Sequence, residues 1–113
     1  MNNETINIIW SSADREVAIK MVFMYTHNSK LRNWWKTVRL IVWGPSAKLL
    51  AEDPELQLHI ESMREAGVLV CACKKCADEF GVAESLSQMG IDVKYMGEPL
   101  TEILKNGEKV LTF

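Results

Sequence analysis

Three short, almost entirely apolar runs constrain the fold of this chain more than any other feature. They are Thr5 to Trp10, Val38 to Trp43 and Val68 to Cys73. Strands buried on both faces of a parallel sheet have this composition. The stretches between the runs carry apolar residues at helical spacing, so strands and helices should alternate along the chain. This alternation predicts an α/β domain with a mainly parallel sheet.

Two further strands are predicted near the carboxyl end of the chain, and both should lie at sheet edges. Apolar and polar residues alternate in Ile91 to Met96, which is typical of a strand exposed on one face. Lys109 to Phe113 is a short run. We therefore expect a three-layer α/β/α sandwich with a mainly parallel five-stranded sheet, formed by a single domain over residues 1–113.

Helix caps and surplus apolar surface add two expectations. Asp14 should cap a helix over Arg15 to Asn28, and Ser46 should cap one that begins near Ala47.

The first of these helices is apolar on more than one face. A crowded core would explain this surplus, but covering by a neighbouring subunit explains it more simply in a domain of this size. We therefore expect a homo-oligomer.

Charge and hydropathy exclude several classes of partner. Thirteen basic and fifteen acidic side chains give a formal net charge of −2, and the basic residues are scattered, so nucleic acid is not an expected partner. No apolar stretch approaches the roughly 20 residues that span a bilayer, and the chain does not begin like a secretion signal. We expect no membrane association and a cytoplasmic location. The glycines form no nucleotide-binding pattern, and no cofactor is expected.

All three cysteines lie close together at the end of the third predicted strand. They are Cys71, Cys73 and Cys76, and strand alternation puts Cys71 and Cys73 on the same face. If a helix begins near Lys74, Cys73 and Cys76 lie at its amino end, where backbone amides and the flanking lysines favour a thiolate. Such crowding does not suit structural disulfides. It is typical of a catalytic or metal-binding site in a reducing compartment.

Several interpretations of the cysteine pattern remain open at this level. A thioredoxin-like enzyme would place the motif after the first strand, with a tryptophan just before it. Here the motif follows the third predicted strand, and no tryptophan directly precedes it. A metal site would need a fourth ligand, and no Cys or His follows the three cysteines, so no metal is expected. Free cysteines are also often inert, small, buried hydrophobes. A reactive thiol site is the interpretation that we favour.

The loops that follow the predicted strands add small and polar residues to the same edge. In a parallel sheet the carboxyl ends of the strands open on one side, where α/β proteins bind ligands. Cys73 and Cys76 are the expected catalytic residues there, with Cys73 at the rim, where a reactant can reach it. The expected substrate-binding residues are Ser11, Ser12, Gly44, Ser46, Lys74, Met96 and Gly97.

The segment after the third strand carries three recognisable motifs. These are Ala72-Cys73-Lys74-Lys75-Cys76, Phe80-Gly81-Val82 and Gly90-Ile91. With them, the chain resembles the DsrE/DsrF-like family over nearly its whole length. The resemblance implies a sheet order of 4-3-2-1-5 and assembly into trimers or hexamers. It also implies that the cysteine matching Cys73 carries sulfur in the sulfur-relay members, while some relatives have a second cysteine in the place of Cys76.

The sequence thus predicts a thiol protein that accepts sulfane sulfur on Cys73 as a persulfide and passes it to a partner, such as a sulfur-carrier protein. Cys76 would release the sulfur by forming a disulfide with Cys73. Lys74 and Lys75 depart from the small residues often found there in the family. The alternative is a non-catalytic oligomeric module that binds a small ligand or a protein and has inert cysteines.

Overall fold

The computed structural model describes residues 4–113, and a five-stranded parallel sheet forms their centre. The strands are β1 (Thr5–Trp10), β2 (Thr37–Val42), β3 (Leu69–Cys73), β4 (Asp92–Lys94) and β5 (Lys109–Thr112). They pair in the order β4-β3-β2-β1-β5, and every pairing is parallel. The implied strand order is confirmed, and so are the edge positions of the last two strands.

Six helices connect these strands within residues 4–113. Helix α1 begins as an α-helix over Arg15–Val17, continues as a π-helix over Ala18–Phe23 and ends as an α-helix over Met24–Leu31. The other helices are α2 (Pro45–Glu52), α3 (Pro54–Glu65), α4 (Lys74–Phe80), α5 (Ala83–Gln88) and α6 (Gly97–Lys105). In this part of the chain no helix is both long enough and apolar enough to cross a membrane.

One of the two predicted helix caps is confirmed and the other is wrong. The Asp14 carboxylate accepts two backbone N–H groups of α1, at 2.8 and 3.3 Å. Helix α2 begins earlier than predicted, at Pro45, with Gly44 in the cap position at a φ of 72°. Proline suits a first helical position because its φ is already helical, and glycine takes the positive φ at little cost. Ser46 therefore lies inside the first turn of α2.

Strand β4 is shorter than the predicted run from Ile91 to Met96. It ends at Lys94, and the Tyr95 side chain is 65% exposed. The chain then turns so that Met96 is buried and α6 begins at once with Gly97. Met96 therefore packs against the sheet instead of extending its edge.

The two faces of the sheet are covered very unequally. On one face, side chains such as Trp10, Leu40 and Val70 form a core with residues of α1 to α5. The opposite face, here called face B, is covered by α6 alone among the described helices, through Ile103 packed near Ile41. The predicted three layers are present, but the third layer is a single helix.

Two leucines of α3 test this packing because they are two positions apart and differ in burial. Leu56 is fully buried and Leu58 is 65% exposed. We expect Leu56→Ala to lower the free energy of unfolding by about 2–5 kcal/mol, because it leaves a cavity in the core. Leu58→Ala should change it by no more than about 0.5 kcal/mol. Urea unfolding of both variants measures the difference, and equal effects would contradict the docking of α3.

Candidate thiol site

The cysteine pair lies where β3 ends and α4 begins. Cys73 is the last residue of β3 and occupies the cap position of α4, with φ −70° and ψ 115°. Cys76 lies in the first turn of that helix, close enough to Cys73 for that thiol to raise its pKa. The predicted position of both cysteines at a helix amino end is confirmed.

The three free cysteines differ in burial. Cys71 and Cys73 are each only 5% exposed, whereas Cys76 is partly exposed. The expectation that Cys73 lies at an accessible rim is wrong. Cys73 packs in one cluster with Met96 and Ile103, which approach it because α6 begins directly after β4. Cys76 is therefore the thiol that a reactant meets first.

The groups around Cys76 shift the pKa of its thiol in opposite directions. Burial raises the pKa of the Cys76 thiol, and the neighbouring Cys73 thiol raises it further. The backbone N–H of Gly44 donates to the Cys76 sulfur and lowers its pKa. Since burial is the largest effect, the net pKa lies above the ordinary cysteine value. Gly44 is the predicted site residue that touches this thiol directly.

The lysines beside the cysteines are paired with acidic residues of the same helix. The Lys74 ammonium lies 2.7 Å from the Asp78 carboxylate, and Lys75 lies 3.4 Å from that of Glu79. Both pairs have the i,i+4 spacing of neighbours on a helix surface. Lys74 also lies over the Tyr95 ring, 5.4 Å from its centre. Each lysine charge is thus balanced locally, which weakens the expected support for a thiolate.

Two of the predicted substrate-binding serines use their hydroxyl groups to hold the fold together. Ser46 is fully buried, and its hydroxyl lies against the backbone carbonyl oxygens of Trp10 and Trp43. The Ser11 hydroxyl donates to the carbonyl of Phe113 at 2.8 Å. These contacts fasten the carboxyl ends of neighbouring strands. They leave neither donor free for a ligand in this arrangement.

The remaining predicted residues at this edge have other surroundings. The Ser12 hydroxyl oxygen accepts the N–H of Asp14 at 3.0 Å, in the turn before α1. Met96 packs in the cluster that contains Cys73, and Gly97 is the exposed first residue of α6. The structure thus brings Gly44 and Met96 to the cysteines and does not bring the serine hydroxyls to them.

One site residue was missed at the level of the sequence. Trp43 is partly buried and packs against the same cluster as Cys76. It directly follows β2, which pairs with β3. The available signal is an aromatic residue at the carboxyl end of the second apolar run, but the same pattern is typical of an ordinary strand end. Across residues 4–113, no group of three or more His, Cys, Asp or Glu side chains is arranged to hold a metal ion.

A match to the model of a protein family shows which family the chain belongs to. The model of the DsrE/DsrF-like family matches residues 11–113. The chain belongs to the DsrE/DsrF-like family. No curated protein matches this DsrE-like chain.

The solved structures that are similar to this DsrE-like protein include three proteins from different organisms. The conserved protein of unknown function BT1422 from Bacteroides thetaiotaomicron is 44% identical, with a TM-score of 0.94 over 97% of this chain and 95% of that one. MTH1491 from Methanobacterium thermoautotrophicum, also of unknown function, is 18% identical, with a TM-score of 0.73 over 99% and 100%. The ychN protein from E. coli is 19% identical, with a TM-score of 0.68 over 100% of both chains. At this level of identity, MTH1491 and ychN show that the fold is shared and nothing more.

The pH dependence of thiol labelling tests the described environment of Cys76. With iodoacetamide we expect Cys76 to label first, at a rate that still rises above the ordinary cysteine pKa of about 8.5, because its pKa is raised. Cys73→Ala should move this profile to lower pH, since the Cys73 thiol raises the pKa of Cys76. Mass spectrometry of the labelled peptides gives the rates.

Urea-unfolded protein is the control, in which all three thiols should label at similar rates. Faster labelling of Cys73 than of Cys76 in the folded protein would contradict the burial of Cys73. An unchanged profile in Cys73→Ala would contradict the effect of the Cys73 thiol on the pKa of Cys76.

Proposed function

We propose that this DsrE-like protein carries sulfane sulfur as a persulfide on the Cys73–Cys76 pair and passes it to a partner protein in the cytosol. The observation that carries the proposal is the geometry of the pair, which consists of two free thiols three residues apart at a strand–helix junction, one of them partly exposed. Membership of a family linked to sulfur relay supports it. Free thiols also suit a reducing compartment.

Burial supports an order of steps different from the one that the sequence suggested. The Cys76 thiolate attacks the outer sulfur of a persulfide donor, so that a new S–S bond forms on Cys76. The S–S bond of the donor breaks, and its remaining sulfur leaves as a thiolate. No oxidant is required, because the sulfane sulfur moves between two thiols without net oxidation. Cys73 is too deeply buried to meet the donor first.

Transfer onward uses the same exchange in two forms. The thiolate of a partner protein takes the outer sulfur, and the Cys76 thiolate is the leaving group. Alternatively, the Cys73 thiolate attacks the inner sulfur of the Cys76 persulfide, which forms a Cys73–Cys76 disulfide and releases the outer sulfur as hydrosulfide. The N–H of Gly44 stabilises the negative charge on the Cys76 sulfur in either form.

Serine variants separate the roles of the three cysteines. Incubated with a persulfide donor, the wild-type protein should gain the mass of one sulfur atom on Cys76. Cys76→Ser should abolish this gain, whereas Cys73→Ser should keep it and release hydrosulfide more slowly. Cys71→Ser is the matched control and should behave as wild type, because Cys71 is buried on β3. Intact-protein mass spectrometry with peptide mapping measures all four proteins.

The opposite pattern has a defined meaning. Loss of loading in Cys73→Ser with loading retained in Cys76→Ser would restore the assignment made from the sequence and overturn the order proposed above. No gain of sulfur by the wild type with any persulfide donor would overturn sulfur transfer. The protein would then be a binding module with inert cysteines.

We further propose that the protein functions as a homo-oligomer in which another copy covers the outer surface of α1. Met21 and Met24 of this helix are 50% and 56% exposed, and Trp34 beyond its end is 55% exposed. Exposed apolar side chains grouped in this way are typical of protein interfaces. The trimers and hexamers implied by the family resemblance support the same conclusion.

A charged substitution on α1 tests this assembly. Light scattering at micromolar concentration should give a mass that is a multiple of the 12.9 kDa monomer. Met24→Glu should reduce this mass because it buries a carboxylate in the interface. Lys48→Glu, at an exposed position of α2, is the control and should leave the mass unchanged. A monomeric mass for the wild type would contradict the proposal.

A further inference from the structure

A concave region lies on face B, near the amino ends of β2, β3 and β4 and beside the part that α6 covers. Its volume is about 470 Å³, and its lining includes Arg39, Leu69, Cys71, Lys94 and, from α3, Arg64. A smaller space of about 180 Å³ shares Arg39, Cys71 and Lys94 and continues along α6. We call the two together the amino-end cleft. It lies at the opposite end of β3 from the thiol pair.

A buried polar network holds one wall of this cleft. Asn7 is fully buried on β1 and lies opposite Arg39 of β2 in the register of the sheet. The Asn7 amide nitrogen donates to the Glu108 carboxylate at 3.0 Å and to the Lys109 carbonyl at 3.1 Å, and the amide oxygen accepts Arg39 Nη1. Arg39 Nη1 also lies 3.3 Å from the Glu108 carboxylate. The Arg39 guanidinium is therefore held in one position.

This network is unusual for its place in the fold. Central strands of parallel sheets are almost entirely apolar, and a buried amide costs free energy unless its hydrogen bonds are satisfied. Asn7 and Arg39 interrupt the apolar pattern at paired positions of β1 and β2. Leu or Val at these positions would complete an ordinary core. A binding site that requires the Arg39 guanidinium in one position would explain why Asn7 and Arg39 are polar.

The lining of the larger part of the cleft is positive, whereas the smaller part adds the carboxylates of Glu102 and Glu108. Arg39, Arg64 and Lys94 face a single carboxylate in the larger part of the cleft, that of Asp92, which lies 3.0 Å from Lys94 Nζ. Arg39 makes its contacts through Nη1, and Arg64 donates through Nη1 to one backbone carbonyl. Among residues 4–113, the other guanidinium nitrogens of both arginines have no hydrogen-bond partner. This positive region stands out in a chain whose net charge is −2.

We propose that the amino-end cleft binds a small organic oxyanion, with its anionic group between Arg39 and Arg64 and an apolar part against Leu69. Guanidinium groups present paired N–H donors that match carboxylate or phosphate oxygens. Lys94 adds a further N–H donor, whose charge is shared with Asp92. Leu69 is 52% exposed and provides an apolar wall. The volume lies in the range of small-molecule sites. The proposal goes beyond sulfur transfer and does not depend on it.

Isothermal titration calorimetry at constant ionic strength tests the site with phenyl phosphate, inorganic phosphate and uncharged phenol as probes. The full chain should bind phenyl phosphate saturably and more tightly than inorganic phosphate, and phenol should not bind. Arg64→Gln and Lys94→Gln should each weaken binding by about tenfold or more, because each removes a charged donor. Arg32→Gln, an exposed position at the end of α1, is the control and should bind as wild type.

Arg39→Gln should cause the largest loss, but it also disturbs the network with Asn7 and Glu108. Arg64 and Lys94 lie outside that network, so their variants keep the test valid if Arg39→Gln fails to fold. Sulfur loading by Arg64→Gln should equal that of the wild type, which separates this test from that of the thiol pair.

Two outcomes would overturn the site. One is the absence of saturation by phenyl phosphate up to about 10 mM, or equal affinity in the wild type and in the Arg64 and Lys94 variants. The other is a change of light-scattering mass in those variants without any added probe. That change would mean that an acidic side chain of a second copy, and not a small molecule, occupies the cleft.

Discussion

The parallel pairing of β2 with β3 is the constraint on which both regions of interest depend. Its register places Ile41 opposite Cys71 and Arg39 opposite Leu69. At the carboxyl ends of the two strands, this pairing brings the backbone N–H of Gly44 to the Cys76 sulfur. At the amino ends, it places the Arg39 guanidinium of β2 beside the exposed Leu69 of β3. A shift of β3 by one residue in this register would turn Leu69, Cys71 and Cys73 to the other face of the sheet.

Uneven covering of the sheet explains why face B contains both a buried thiol and an open cleft. Helix α6 connects β4 and β5, which are the two opposite edges of the sheet, so it has to cross face B. A helix of its length extends over about 13 Å, whereas five strands span about 19 Å. One helix of this size leaves part of the face uncovered. The covered part includes Cys73, and the uncovered part is the larger part of the amino-end cleft.

The electrostatics of the thiol pair are weaker than the spacing of charges in the sequence suggests. Lys74 and Lys75 are each engaged with an acidic residue one turn further along α4. Burial raises the pKa of Cys76, so its thiolate is a minor species near neutral pH. Against this effect, the backbone N–H of Gly44 favours the anionic form of the Cys76 thiol. Any sulfur chemistry here therefore depends more on geometry and access than on positive charge.

Features that act over a few residues could be predicted from the sequence alone. The apolar runs defined the three central strands, alternation marked the fourth as an edge, Asp14 was recognised as a cap, and Cys73 and Cys76 were placed at the amino end of a helix. Periodicity and capping are local effects, and no distant contact is needed to recognise them. The burial of Cys73, the effect of Gly44 on Cys76 and the contact of Asn7 with Arg39 could not be predicted in this way. Each of these depends on packing between residues far apart in the chain, whose meeting is set by strand register and by the path of α6, which no local pattern encodes.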